Sequence, residues 1–190
     1  CLSISSRLSG TYANEAVCAR EIGGGNIRVV DTLTTAGGLY ILVRAARELI
    51  DAGYSLEETA SKIEEMRSSV KTLFTVEDME PLRRSGRLGP VRQSVCTVLN
   101  VRPLLTCREG AVVSCGMVRG HNEQMRALDQ AVPENAGCIV VQYIRNINGA
   151  RQLQHRLESR LNKTVLLRPI GPVLAIHLGV DMIGVAWKES

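Results

Sequence analysis

Short β-branched runs alternate with helical-period stretches through the first 70 residues. That alternation admits few folds other than a parallel sheet flanked by helices. Cys1-Leu2-Ser3-Ile4 reads as a strand, and residues 13–21 read as a helix that stops at Gly23-Gly24-Gly25. Residues 27–30 (Ile27, Val29, Val30) form a second short strand ahead of Asp31-Thr32. Gly37-Gly38 then opens a helix in which Leu39, Leu42, Val43, Ala46, Leu49 and Ile50 recur at helical spacing up to Gly53. Ser55 with Glu58 three residues on is a capping box, and Leu56, Ala60, Ile63 and Met66 give the next helix its buried stripe.

Residues 71–190 follow a different pattern. A strand is expected at 73–76 and a short helix at 78–84, followed by a glycine-broken loop, Ser85-Gly86-Arg87-Leu88-Gly89-Pro90. Apolar runs at 104–106 and 111–113 flank Cys107-Arg108-Glu109-Gly110 and predict a hairpin. Helix 122–131, strand 138–143, helix 150–161 and strand 164–167 come next, and strands at 173–176 and 183–187 close the chain. The expected fold class is therefore α/β. A partial Rossmann-like parallel-sheet domain (residues 1–70) is followed by an α+β domain (residues 71–190) with a mixed, partly antiparallel sheet. Because the chain opens without Met on a strand already under way, it is expected to lack part of its N-terminal segment.

Composition narrows the function. Of 190 residues 45% are hydrophobic but only 3% aromatic, so the core is aliphatic and suits an aliphatic guest, as it suits many α/β cores. Lys plus Arg (23) nearly balance Asp plus Glu (19), and stacking platforms are missing, which argues against nucleic acid. No apolar run reaches the roughly 18 residues a membrane span requires, and no signal peptide is visible, so the expected location is cytoplasmic, without stable membrane insertion. Six cysteines show no metal-ligand spacing and are expected to be mostly reduced core residues, with Cys107 and Cys115 flanking the hairpin and placed to face each other across it as thiols.

The turn after the first strand carries the most chemistry. Ser5, Ser6, Ser9, Thr11 and Tyr12 crowd around Gly10, where a helix N-terminus offers unpaired N–H groups and its positive dipole end. This is anion-binding architecture without the signatures of a phosphate loop or a dinucleotide site; the same hydroxyls also suit plain helix capping. His177 is expected at the end of the 173–176 strand, aimed at the sheet edge, where an imidazole donates to a carboxylate. His121 and His155 read as surface residues. No nucleophile motif or carboxylate pair stands out, so the chain is not expected to be an enzyme by itself.

Ser5-Ser6-Arg7-Leu8-Ser9-Gly10-Thr11-Tyr12 resembles the S-S-x-L-S-G-T-Y turn of the DegV family, fatty-acid-binding subunits of bacterial fatty acid kinase. Val29-Val30-Asp31-Thr32, the segment from Val76 to Arg87, Asn100-Val101-Arg102-Pro103-Leu104-Leu105, Met117-Val118-Arg119 and the segment from Ile170 to His177 resemble further family motifs in the same order. The resemblance implies a two-domain fold with a long-chain fatty acid in a tunnel between the domains and no other cofactor. Ser5, Ser6, Ser9, Gly10, Thr11 and His177 would surround the carboxylate, Ser6 bonding it directly. It further implies a separate ATP-dependent kinase subunit as partner, with Arg87 and Arg119 facing that partner or the head group. A departure follows the histidine: Val180, Asp181 and Met182 stand where the family has Pro, Gly and Ala, and Asp181 is expected to repel an anionic head group.

Overall fold

A computed structural model describes residues 1–23, 25–88 and 100–189. The Gly89-Pro90 end of the arginine loop and Cys96 lie outside the described residues. In chain order the elements are β1 (Leu2–Ser3), α1 (Thr11–Ile22), β2 (Val30–Asp31), α2 (Ala36–Asp51), α3 (Leu56–Met66), a 3₁₀ turn (Arg67–Ser69), β3 (Val70–Val76), α4 (Glu80–Ser85) and β4 (Val101–Arg108). They continue with β5 (Ala111–Arg119), α5 (Gly120–Gln130), β6 (Ile139–Ile144), α6 (Ile147–Leu161), β7 (Leu166–Pro169), α7 (Pro172–Leu178) and β8 (Met182–Lys188).

The fold is α/β. β1 and β2 make a small parallel sheet, with Leu2 opposite Val30 and Ser3 opposite Asp31. The larger, mixed sheet has the order β5-β4-β3-β8-β6-β7, in which β6 and β7 are the parallel pair and the other neighbours are antiparallel. The strand period of two sorts side chains onto its faces. Ile139 and Val141 of β6, with Ile183, Val185 and Trp187 of β8, pack under α5 and α6 against Met125, Leu128, Leu153 and Leu157. Val140 and Ala186 point the other way and meet Ile41, Leu42 and Ala46 of α2 and Ala60 and Ile63 of α3. A third cluster joins Phe74, Val76, Leu82, Leu105, Val112, Leu178 and Met182 around α4 and α7.

Local chemistry accounts for the element ends. The capping box at α3 is complete: Ser55 Oγ accepts the Glu58 N–H at 3.3 Å, and the Ser55 N–H donates to Glu58 Oε2 at 2.9 Å. The β4–β5 hairpin turns on Glu109 and Gly110, at φ 49° and 82°, the left-handed pair that two-residue hairpins require. Gly184 is needed for close approach, since a Cβ there would lie 2.5 Å from Phe74 Cβ.

Three expectations change. Residues 173–176 are not a strand but the body of α7, so His177 stands in the last turn of a helix. Pro172 presets the first turn, and Leu174 and Leu178, one helical turn apart, face the third cluster, while Val173 and Ile176 are 72% and 75% exposed. The described cysteines are not core residues: Cys1, Cys18 and Cys115 are exposed and Cys107 and Cys138 half-buried, all five of them free thiols. Nor do Cys107 and Cys115 face each other, for Cys107 pairs with Val112, and Cys115 sits at an irregularity between the Leu104–Gly116 and Leu105–Ser114 pairs.

Candidate functional site

The turn leaving β1 is held mainly by polar bonds. The Ser5 N–H donates to Thr34 O at 3.0 Å. Ser5 Oγ, fully buried, donates to Gly110 O at 2.7 Å and accepts the Arg7 N–H at 3.2 Å. Gly110 tolerates no side chain here, because a Cβ would lie 2.5 Å from Ser5 Oγ. Arg7 Nη1 adds a bond to Glu109 O at 3.2 Å. Asp31, at the end of β2, accepts from both the Ser6 and Leu33 N–H groups at 3.1 Å, tying the two loops together. Ile4 and Leu8 thereby turn inward, and Ser9 and Thr11 come to the start of α1 with their hydroxyls 2.7 Å apart. Of the two hydroxyl protons, one joins the oxygens and the other is free for a ligand. The side chain of Gly10 being absent, α1 has no side-chain cap, although Ser9 Oγ accepts the Thr11 N–H at 3.3 Å.

These residues edge a largely apolar cavity of about 190 Å³. Its lining comes from both parts of the chain: Ile4, Leu8, Thr35 and Ala36 on one side, with Phe74, Leu82, Val112, Ile170, Leu174, Leu178 and Met182 on the other. Thr72, Phe74, Gln142 and Met182 fall on the same face of the large sheet as Val140 and Ala186, which explains why the cavity opens on the α2 side. The backbone is strained beside it, with Leu33 and Ala36 at φ 51° and 48°. A cavity of this size holds on the order of ten waters or a stretch of alkyl chain.

Ser9, Thr11, Arg87 and His177 all line this cavity. His177 Nδ1 is buried without a partner among the described residues. Arg87 donates through Nε to Leu8 O at 3.4 Å and through Nη1 to Ser85 O, which holds its guanidinium beside the turn. Ser5, Ser6, Gly10 and Arg119 are not among the lining residues. Ser5 is a structural pin, Ser6 is exposed, and Arg119 lies exposed at the end of β5, where its N–H donates to Glu123 Oε2 at 2.7 Å. Asp181 is not among the lining residues either. Burial pushes its carboxyl up, Arg102 opposes that shift, and Glu77, Arg145 and His121 surround it. Burial likewise raises the Cys107 thiol in the cavity wall, to about 11, with Arg7 opposing.

Sequence reading overlooked Thr35, Thr72 and Gln142, the polar members of the cavity's inner wall. Gln142 alone left a trace, as a lone amide within the apolar run Ile139–Ile144. Among the described residues no cluster of His, Cys, Asp or Glu is placed to hold a metal ion, and no helix is long and apolar enough to cross a membrane.

Known proteins match the chain over its length. It is 32% identical over 193 aligned positions to a DegV domain-containing protein of Streptococcus pyogenes serotype M1, covering 97% of this chain and 67% of that protein. It is 29% identical to a protein of Thermotoga maritima named a fatty acid-binding protein, covering 96% of this chain and 66% of the relative. A solved DegV family structure from Thermus thermophilus, described by its fatty acid binding, superposes with a TM-score of 0.83 at 30% identity, over 100% of this chain and 70% of that one. The DegV family model itself matches residues 1–190, and this chain belongs to the DegV family.

Proposed function

We propose that this chain binds a long-chain fatty acid, with the acyl tail in the apolar cavity and the carboxylate at the cluster of Ser9, Thr11, Arg87 and His177. The observation that carries the reading is a largely apolar cavity edged by Ser9, Thr11, Arg87 and His177, whose Nδ1 is buried without a partner among the described residues. A buried polar atom is costly without a partner, and a ligand carboxylate supplies one. A carboxylate is in turn tolerated there only with donors around it, which a hydroxyl pair, an imidazole N–H and a guanidinium provide. The tail adds about 0.8 kcal/mol per buried CH₂, so a long chain far outweighs acetate. The fatty acid binding described for the Thermotoga and Thermus relatives supports the same ligand class.

In this reading the cavity lies between residues 1–70 and residues 71–190, which both line it. The protein is a carrier and not a catalyst. It presents the carboxylate to a separate, ATP-dependent kinase subunit, with Arg119 on the exposed face toward that partner; such a partnership places it in the cytoplasm. Ser5 and Gly10 shape the turn, and the direct bond expected of Ser6 passes to Ser9 and Thr11, because Ser6 is exposed and outside the cavity lining. Mass spectrometry of protein purified without detergent tests the ligand class. A co-purifying long-chain fatty acid is expected; recovery of none, together with no uptake of added oleate or palmitate, contradicts the reading.

A further inference from the structure

Gln142 is 3% exposed, on a strand otherwise made of apolar residues and one tyrosine. Its Oε1 accepts the Gly37 N–H at 2.7 Å. A backbone N–H can only donate, so this bond fixes the amide: oxygen toward α2, nitrogen away from it. Gly37 is required for the contact, since a Cβ there would lie 2.9 Å from both Gln142 Oε1 and Ala186 Cβ. The two N–H groups on Nε2 have no hydrogen-bond partner among the described residues. Gln142, a buried residue, thus brings an unused double donor to the wall of the cavity.

Its position separates it from the head-group cluster. Gln142, Ala36, Ile170 and Leu174 line both the cavity and an adjoining groove that runs to Tyr40 and Arg168. Ser9, Thr11, Arg87 and His177 line the cavity but not the groove. Gln142 therefore marks the inner junction, where the middle or far part of an acyl tail would pass. Thr35 lies beside it at the start of α2, and its side chain makes no capping bond.

We propose that Gln142 is a specificity-determining residue, whose free amide N–H groups donate to an oxygen carried along the acyl chain. The cavity then takes hydroxy- or oxo-substituted fatty acids in preference to their plain saturated parents. This rests on the fatty-acid reading above and names the ligand class within it. The physical reason is asymmetric: a methylene chain passing Gln142 leaves its donors unmet, whereas an oxygen at that depth satisfies one. Sites built to hydrogen-bond a ligand group discriminate against the analogue that lacks it.

The test is displacement of a fluorescent fatty acid from delipidated protein by stearic acid and by monohydroxystearic acids that differ in hydroxyl position. At least one hydroxy isomer is expected to compete several-fold to about tenfold better than stearate, the range of one net hydrogen bond. Gln142→Met, similar in length but without donors, is expected to bring that ratio to about one. Equal competition by stearate and every hydroxy isomer in the wild type overturns the inference and leaves fatty-acid binding intact. An advantage that survives in Gln142→Met overturns it too. Failure of every acid to compete defeats the fatty-acid reading itself, and the inference with it. Should Gln142→Met unfold through loss of the Gly37 bond, the wild-type ratio alone decides.

Discussion

The β1–α1–β2 piece and the six-stranded sheet are held by different forces. The central strands of the large sheet are covered on both faces, with Val140 and Val185 fully enclosed, as are Leu153 and Leu157 of α6. By contrast α1 buries none of its residues, and its Val17 and Ile22 are 43% and 72% exposed. What fixes the turn at the start of α1 is a set of long-range polar bonds: Ser5 to Gly110 and Thr34, Arg7 to Glu109, and Ser6 to Asp31. The contrast teaches that the geometry of the head-group site and the global stability of the fold are separable, because they rest on different residues.

The strongest way to break that comparison is to cut into the sheet. Leu153→Ala, in the fully enclosed face of α6, is expected to lose about 2–5 kcal/mol in urea unfolding. Val17→Ala on α1 is expected to stay within about 0.5 kcal/mol. Comparable losses at both positions would show that α1 is as firmly packed as the core.

Ser5→Ala sharpens the comparison at the turn. It strips Gly110 O of its hydroxyl donor and the Arg7 N–H of its acceptor, a cost of about 1–3 kcal/mol. The loss is expected as faster hydrogen exchange at the amides of residues 7–9, with little change at the amides of β6 and β8, and as weaker ligand binding. Uniformly faster exchange across the large sheet would mean the two regions unfold together.

A smaller effect concerns pH. Burial raises the Cys107 thiol from its ordinary 9.0 to about 11, so the folded protein holds that proton more tightly than the unfolded chain. The resulting stability is complete below about pH 9 and is lost as pH rises toward 11. Urea midpoints should therefore fall over that window in the wild type and fall less in Cys107→Ser; equal slopes would contradict the assignment. Cys115 and Cys138 are also raised by burial, which is why the variant and not the wild type alone is informative.

Much of this architecture was legible in the sequence because periodicity and caps report on local structure. The alternation up to Met66, the Ser55–Glu58 box and the Glu109-Gly110 hairpin all depend on neighbours within a few residues. α7 was misread as a strand because Val173-Leu174-Ala175-Ile176 is uniformly apolar, and such a run has the same signature in either form. The division of labour within the serine turn was not legible. It is set by Ser5 reaching Gly110 across 105 positions, which buries one hydroxyl as a pin and leaves its neighbour Ser6 exposed. Gln142 escaped notice for a related reason, since its importance lies in a bond to Gly37, also 105 positions away.

The central claim is that the cavity beside α1 seats a fatty acid by its carboxylate, and titration of delipidated protein with oleate tests it most directly. The wild type is expected to bind. The Ser9→Ala/His177→Ala double variant is expected to bind at least about tenfold more weakly, having lost two charge-assisted donors, and Ser6→Ala to bind about as well as the wild type. Undiminished affinity in the double variant, or no binding by the wild type, would contradict the account.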